Sequence, residues 1–108
     1  MKILFVENHP IFAKQVIDCF LSEHEVLVVP SLAQARIKLG EDRYEVVLVD
    51  YDLDDGKGAE LIREFRAKGS QLRFIGVSAR EDGNKALSEA GADAICSKMN
   101  FDRINRLL

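Results

Sequence analysis

Val46-Val47-Leu48-Val49-Asp50 is the stretch on which the reading of this chain turns. Three valines and a leucine in an unbroken run favour extended backbone. A strand with one face in water would alternate apolar and polar residues, whereas a continuous run describes a strand covered on both faces. The run closes on a carboxylate, and the polar stretch Asp50–Gly58 follows.

Working outward, the same kind of run recurs at Lys2–Val6 (KILFV), Val26–Val29 (VLVV), Phe74–Val77 (FIGV) and, in short form, Ala94–Cys96. Helical spacing fills the gaps. In Ile11–Ser22, Phe12, Val16 and Phe20 share one face, just after Pro10. Ser31 is an N-cap for a helix with Leu32, Ala35 and Leu39 inward, and Gly40 suits its end. Ala59, Leu61, Ile62 and Phe65 line a third helix that stops at Lys68-Gly69. Ala86, Leu87 and Ala90 line a fourth, stopped by Gly91. Asn100–Leu108 starts a last helix with Phe101, Ile104 and Leu108 inward, and it reads as truncated. Strict alternation of strand and helix implies right-handed crossovers and a parallel sheet. The expectation is an α/β, doubly wound (βα)5 flavodoxin-like fold: a five-stranded parallel sheet with helices on both faces, forming one domain over 1–108.

Length and composition bound what such a domain can do. With 108 residues there is room for one domain and none for a two-domain enzyme. Hydrophobic residues at 47% and charged residues at 31% give a globular mix with enough apolar surface for a core. A net charge of -3 argues against a general nucleic-acid binder. No apolar run approaches the roughly 18 residues that cross a bilayer, so no membrane partner is expected, and the opening run is too short for a signal peptide. The expected compartment is the cytoplasm, with Cys19 and Cys96 as reduced thiols.

In an open parallel sheet, ligands sit beyond the carboxyl ends of the strands. Those ends carry Glu7-Asn8-His9, Pro30-Ser31, Asp50 with Asp52, Asp54 and Asp55 behind it, Ser78, and Ser97-Lys98. Carboxylate oxygens suit a hard cation such as Mg2+. A hydroxyl and an ammonium suit a phosphoryl group. Together they describe a site where Asp50 takes a phosphoryl group as an aspartyl phosphate. His9 reads as a surface histidine before proline, and Asp52, Asp54 and Asp55 have a solvated acidic loop as their plain reading. A calcium loop starting at Asp50 fails, because Asp55 and Leu61 stand where its glycine and glutamate belong.

The ordered set VENHP (Val6–Pro10), LVD (Leu48–Asp50), VSAR (Val77–Arg80) and GADAICSK (Gly91–Lys98) resembles the receiver domain of two-component response regulators, over essentially the whole chain. The resemblance implies a signalling domain, not an enzyme, that takes part in phosphoryl transfer to its own aspartate. It makes Asp50 the phosphoacceptor, with Ser78 and Lys98 gripping the phosphoryl oxygens. It assigns Mg2+ to Glu7, Asn8, Asp50 and the backbone carbonyl of Asp52. It implies a histidine kinase or phosphotransfer protein as donor and an unidentified downstream protein as receiver of the signal. Four positions depart from the family pattern. Asn8 replaces a second carboxylate, which weakens metal binding. Ile95 replaces the aromatic switch residue and is expected inward and largely buried. Met99 and Asp54 replace prolines, and Ser78–Gly91 is about two residues short. These departures keep open a pseudo-receiver, a docking module of the same fold that is not phosphorylated. LVDYDLD also resembles the opening motif of haloacid dehalogenase-like phosphatases, whose late acidic ligands would have to fit after Lys98.

Overall fold

The computed structural model describes residues 1–108. Its strands are β1 (Lys2–Val6), β2 (Glu25–Val29), β3 (Val46–Asp50), β4 (Asp52–Leu53), β5 (Gly56–Lys57), β6 (Arg73–Val77) and β7 (Ala94–Ile95). Its α-helices are α1 (Pro10–Phe20), α2 (Leu32–Glu41), α3 (Gly58–Ala67) and α4 (Glu81–Glu89), and a 3-10 segment spans Lys98–Arg106. The main sheet is parallel and runs β2-β1-β3-β6-β7. The expected doubly wound fold is therefore present. Its chain order reverses between β1 and β3, which opens a crevice at their carboxyl ends.

Each central strand feeds two cores. Leu4, Val6, Val47 and Val49 face the cluster built by α2, α3 and α4, which includes Leu32, Leu61 and Leu87. Ile3, Phe5, Val46 and Leu48 face the other, which includes Ala13, Val16, Phe101 and Ile104. That double burial is why the strands read as unbroken apolar runs.

Three local features differ from the sequence reading. Gly40 does not end α2; the helix continues through Glu41, and the chain leaves it in extended backbone at Asp42. Gly69 and Gly91 do follow their helices, at φ of 79° and 114°, where a side chain would be strained. The polar stretch after β3 folds into a small antiparallel pair, β4 with β5. The last helix is 3-10, not α, and kinks at Asn100. Phe101, Ile104 and Leu107 lie three residues apart, the repeat of a 3-10 turn. The first two are buried and Leu107 packs partly against them. Phe101 also meets the rings of Phe5, Phe12 and Phe20 at centroid distances near 6 Å, which fixes the segment on α1.

Ile95 turns toward the α4 side of the sheet, as expected of an inward residue. It is partly buried there and not largely buried, because β7 is the sheet's edge and only two residues long. A side chain on Gly76 would come within 2.7 Å of its Cδ1. β3 depends on a similar close approach. A Cβ on Gly58, the first residue of α3, would lie 1.9 Å from the Asp50 carbonyl oxygen and 2.6 Å from Val49 Cγ1. Both contacts are with the strand that carries Asp50, so relief requires moving backbone. Gly58→Ala is therefore expected to cost roughly 2–4 kcal/mol in urea unfolding, at the upper end of overpacking penalties. An unchanged midpoint would mean that α3 can slide away from β3.

Candidate functional site

The parallel registers bring the site together. Val6 pairs with Val49, and Asp50 pairs with Val77. Glu7, Asp50 and Ser78 therefore emerge side by side at the carboxyl edge, and Lys98 arrives from beyond β7. The Lys98 ammonium lies 2.8 Å from Glu7 Oε1 and 3.1 Å from Asp50 Oδ2. Glu7 and Asp50 are buried, and the Lys98 side chain is 13% exposed. Phe12 closes one wall, its ring centroid 4.7 Å from Lys98 Nζ. Asp50 Oδ1 accepts the Tyr51 N–H at 2.8 Å, which orients the carboxylate.

Two buried carboxylates share one ammonium, and that imbalance sets the electrostatics. Burial and repulsion from Glu7 push the Asp50 carboxyl up to about 6, against the pull of Lys98. Two acceptors are also left over. Glu7 Oε1 makes no well-aligned hydrogen bond despite its closeness to Lys98, and the buried Asn8 Oδ1 has no partner. Buried orphan acceptors beside a carboxylate held off its ordinary value fit a bound cation.

His9 belongs to this site. Its Nδ1 lies 2.9 Å from Glu7 Oε2 and 4.0 Å from Asp50 Oδ2. The sequence reading put it on the surface, and its side chain is indeed 62% exposed. Its place two residues beyond Glu7 was the available signal.

Ser78 is buried and held from every side. Its N–H donates to Asn84 Oδ1, and its carbonyl accepts from Asn84 Nδ2, both at 3.0 Å. The Lys98 N–H also donates to that carbonyl, at 3.1 Å. Gly83 permits this closeness, since a Cβ there would meet Ser78 Oγ at 2.6 Å. Neither Gly83 nor Asn84 could be singled out from sequence, because only the fold carries α4 back over Ser78.

The other aspartates part company. Asp52 pairs with Lys57 and with Arg80, and both cations also lie against the Tyr51 ring. Asp54 accepts from Asn8 Nδ2 at 3.0 Å. Asp55 accepts the Leu32 and Ala33 N–H groups at 2.8 and 3.0 Å, capping α2 beside Ser31. Those backbone hydrogen bonds hold its carboxyl below the usual range. So the three aspartates read together as an acidic loop each have partners of their own. A cleft of about 460 Å³ lies at the opposite edge of the sheet, between Lys2, Leu27, Asp42 and Tyr44, away from all of these groups.

A family model described as the response regulator receiver domain matches residues 3–107. The two-component response regulator PhoP of Pseudomonas aeruginosa is 26% identical over all of this chain and 52% of its own length. The transcriptional regulatory protein KdpE of Staphylococcus aureus is 29% identical over 95% of this chain and 46% of its own. The chain thus spans about half the length of these curated relatives. The response regulator TrrA of Thermotoga maritima, solved in complex with Mg2+ and BeF, superposes with a TM-score of 0.87 at 25% identity. That match covers 99% of this chain and 96% of the other.

The raised Asp50 carboxyl has a signed consequence for stability. Between its ordinary value of 3.8 and about 6, folded Asp50 keeps a proton that the unfolded chain has released. Its contribution to stability therefore falls as pH rises through that window and is level above it. Asp50→Asn removes the charge, so the variant should be the more stable protein at pH 8. In urea unfolding its advantage over the parent should grow from pH 4 to about 6.5. A constant difference from pH 4 to 8 would show that Asp50 carries its charge at no cost.

Proposed function

Since this chain belongs to the response regulator receiver domain family, we propose that Asp50 accepts a phosphoryl group from a histidine kinase or phosphotransfer protein and passes the signal to a downstream protein through surface contacts. The observation that carries this reading is the Lys98 ammonium between the buried carboxylates of Glu7 and Asp50. In the transfer, an Asp50 carboxylate oxygen forms the new bond to phosphorus as the bond from phosphorus to the donor breaks. Such transfer needs positioned charge more than covalent chemistry. The Tyr51 N–H orients the acceptor carboxylate. Lys98 counters the charge of the arriving phosphoryl oxygens. The Ser78 hydroxyl has its own hydrogen free to donate, because its oxygen accepts the Arg80 N–H at 3.2 Å.

Glu7, Asn8, Asp50 and the Asp52 carbonyl are the groups that would hold Mg2+, as the orphaned acceptors of Glu7 and Asn8 support. When bound, the ion supplies positive charge against the phosphoryl oxygens and relieves the Glu7–Asp50 repulsion. Ile95 has no hydroxyl or ring with which to answer a movement of Ser78, so the signal is carried by Ser78, Lys98 and the loops around them.

The pseudo-receiver reading rests on the sequence departures alone, and the acceptor, ammonium and hydroxyl standing at the same edge favour phosphorylation over it. Acetyl phosphate with Mg2+ is expected to add about 80 Da, one phosphoryl group, in intact-mass measurement. Asp50→Asn should abolish the adduct and Lys98→Ala should reduce it severely. No adduct on the parent protein would return the domain to the docking role.

Asn8 generates a second prediction. Its amide donates to Asp54, so Asn8→Asp would set two carboxylates face to face. Without metal, the variant should unfold at lower urea, by about 1 kcal/mol, the net scale of one intramolecular hydrogen bond. With Mg2+ it should bind more tightly, since affinity at such sites follows ligand charge. Unchanged Mg2+ affinity in a calorimetric titration would remove Asn8 from the ligand set.

A further inference from the structure

We infer that His9 is a nitrogen ligand of the cation site and turns its preference from Mg2+ toward borderline first-row divalent cations such as Co2+ and Zn2+. This rests on the reading of Glu7 and Asp50 as cation ligands and adds to it one ligand and a selectivity.

The geometry comes first. One ligand atom each from Glu7, His9 and Asp50 lie within 4.8 Å of one another. An ion with bonds of about 2.1 Å separates adjacent ligands by about 3.0 Å and opposite ones by about 4.2 Å. His9 Nδ1 stands 2.9 Å from Glu7 Oε2 and 4.0 Å from Asp50 Oδ2. The three atoms therefore need only a small inward adjustment. The two oxygens of Glu7 are also divided. Oε1 faces Lys98 and Oε2 faces His9, so a cation on the His9 side takes Oε2 in exchange for its bond to the His9 ring, rather than the orphaned Oε1, and leaves the Lys98 contact in place.

The position of the ring is built in. His9 caps α1, its carbonyl accepting the Ala13 N–H at 3.0 Å. Its own N–H donates to Glu7 Oε2 at 3.2 Å, and Pro10 follows it into the helix. Both contacts hold the main chain where Nδ1 meets the carboxylates. Without an ion, His9 Nδ1–H donates to Glu7 Oε2 at 2.9 Å. Binding a cation replaces that hydrogen, moves the ring hydrogen to Nε2 and uses the Nδ1 lone pair, and the exposed ring leaves Nε2 open to water.

Charge supplies the reason for selectivity. Asn8 gives a neutral oxygen, so Glu7 and Asp50 provide the only side-chain anions among the proposed oxygen ligands. Oxygen-only sets suit Mg2+, which compensates poorly for a lost carboxylate. Imidazole binds the later first-row ions far better than it binds Mg2+. A site short of one carboxylate and provided with one imidazole therefore gives up more affinity for Mg2+ than for Co2+ or Zn2+.

The test uses the intact chain and two readouts independent of phosphorylation. Calorimetric titrations with Co2+ and with Mg2+ compare the parent protein with His9→Ala and His9→Gln. Pulsed electron paramagnetic resonance of the Mn2+-loaded protein detects nitrogen bound to the ion. Both variants should lose about tenfold or more in Co2+ affinity while changing less than about threefold for Mg2+, as expected when one selective ligand is removed. The parent should show imidazole nitrogen coupling and His9→Ala should not. If both cations bind, but nitrogen coupling is absent or the Co2+ to Mg2+ ratio is the same in all three proteins, His9 is not a ligand and the Glu7–Asp50 site stands without it. If neither cation binds the parent below about 10 mM, beyond the weak end for carboxylate sites, the inference and the metal reading beneath it both fail.

Discussion

Everything at the carboxyl edge of the sheet is arranged around one electrostatic constraint, the burial of Glu7 and Asp50 against a single ammonium. Charges taken out of water are costly, and removing one partner of a buried set leaves another uncompensated. Lys98 therefore has to be where it is, and the fold secures it twice. Its N–H donates to the Ser78 carbonyl, and its side chain crosses the Phe12 ring to reach both acids. The set still carries one negative charge too many. That excess makes the site receptive to cations and keeps the Asp50 proton longer than an ordinary aspartate would. Stability is given up locally for a site that responds to charge.

The loop after β3 serves the same constraint indirectly. Asp55 ties it to the start of α2, Asp54 to Asn8, and Asp52 to Lys57 and Arg80. Gly58 then lets α3 close on the Asp50 main chain. None of these contacts touches the acceptor carboxylate, yet each limits where its backbone can go.

What was legible beforehand follows from the range of each interaction. Unbroken apolar runs identified the central strands because burial on two faces leaves no room for polar residues, whereas the edge strand β2 carries the same kind of run with Leu27 exposed. Glu7, Asp50, Ser78 and Lys98 could be named because strand ends are local in sequence, while their meeting needs only parallel register. Asn84 and Gly83 were invisible, since their partner lies on another element and nothing in Glu81–Glu89 marks a residue that grips a strand end. His9 looked superficial because exposure and ligation are compatible for a ring with two nitrogens. The last segment was read as an α-helix because its apolar residues fit either period, and the kink at Asn100 and the three-residue repeat of Phe101, Ile104 and Leu107 decide for the tighter form.

The Asn84 clamp on Ser78 also bears on time. With its N–H and carbonyl both engaged by one amide, and the carbonyl shared with Lys98, Ser78 has no main-chain freedom to spend. Under the proposed phosphorylation of Asp50, the Ser78 hydroxyl can answer by turning about its side-chain bond without breaking these main-chain contacts. Such a turn is a smaller motion than the collective hinge rearrangements that take microseconds to milliseconds. In the proposed phosphorylation, any rearrangement larger than that turn would have to involve the groups beyond Ser78, such as Arg80, whose N–H donates to the Ser78 hydroxyl and whose side chain pairs with Asp52.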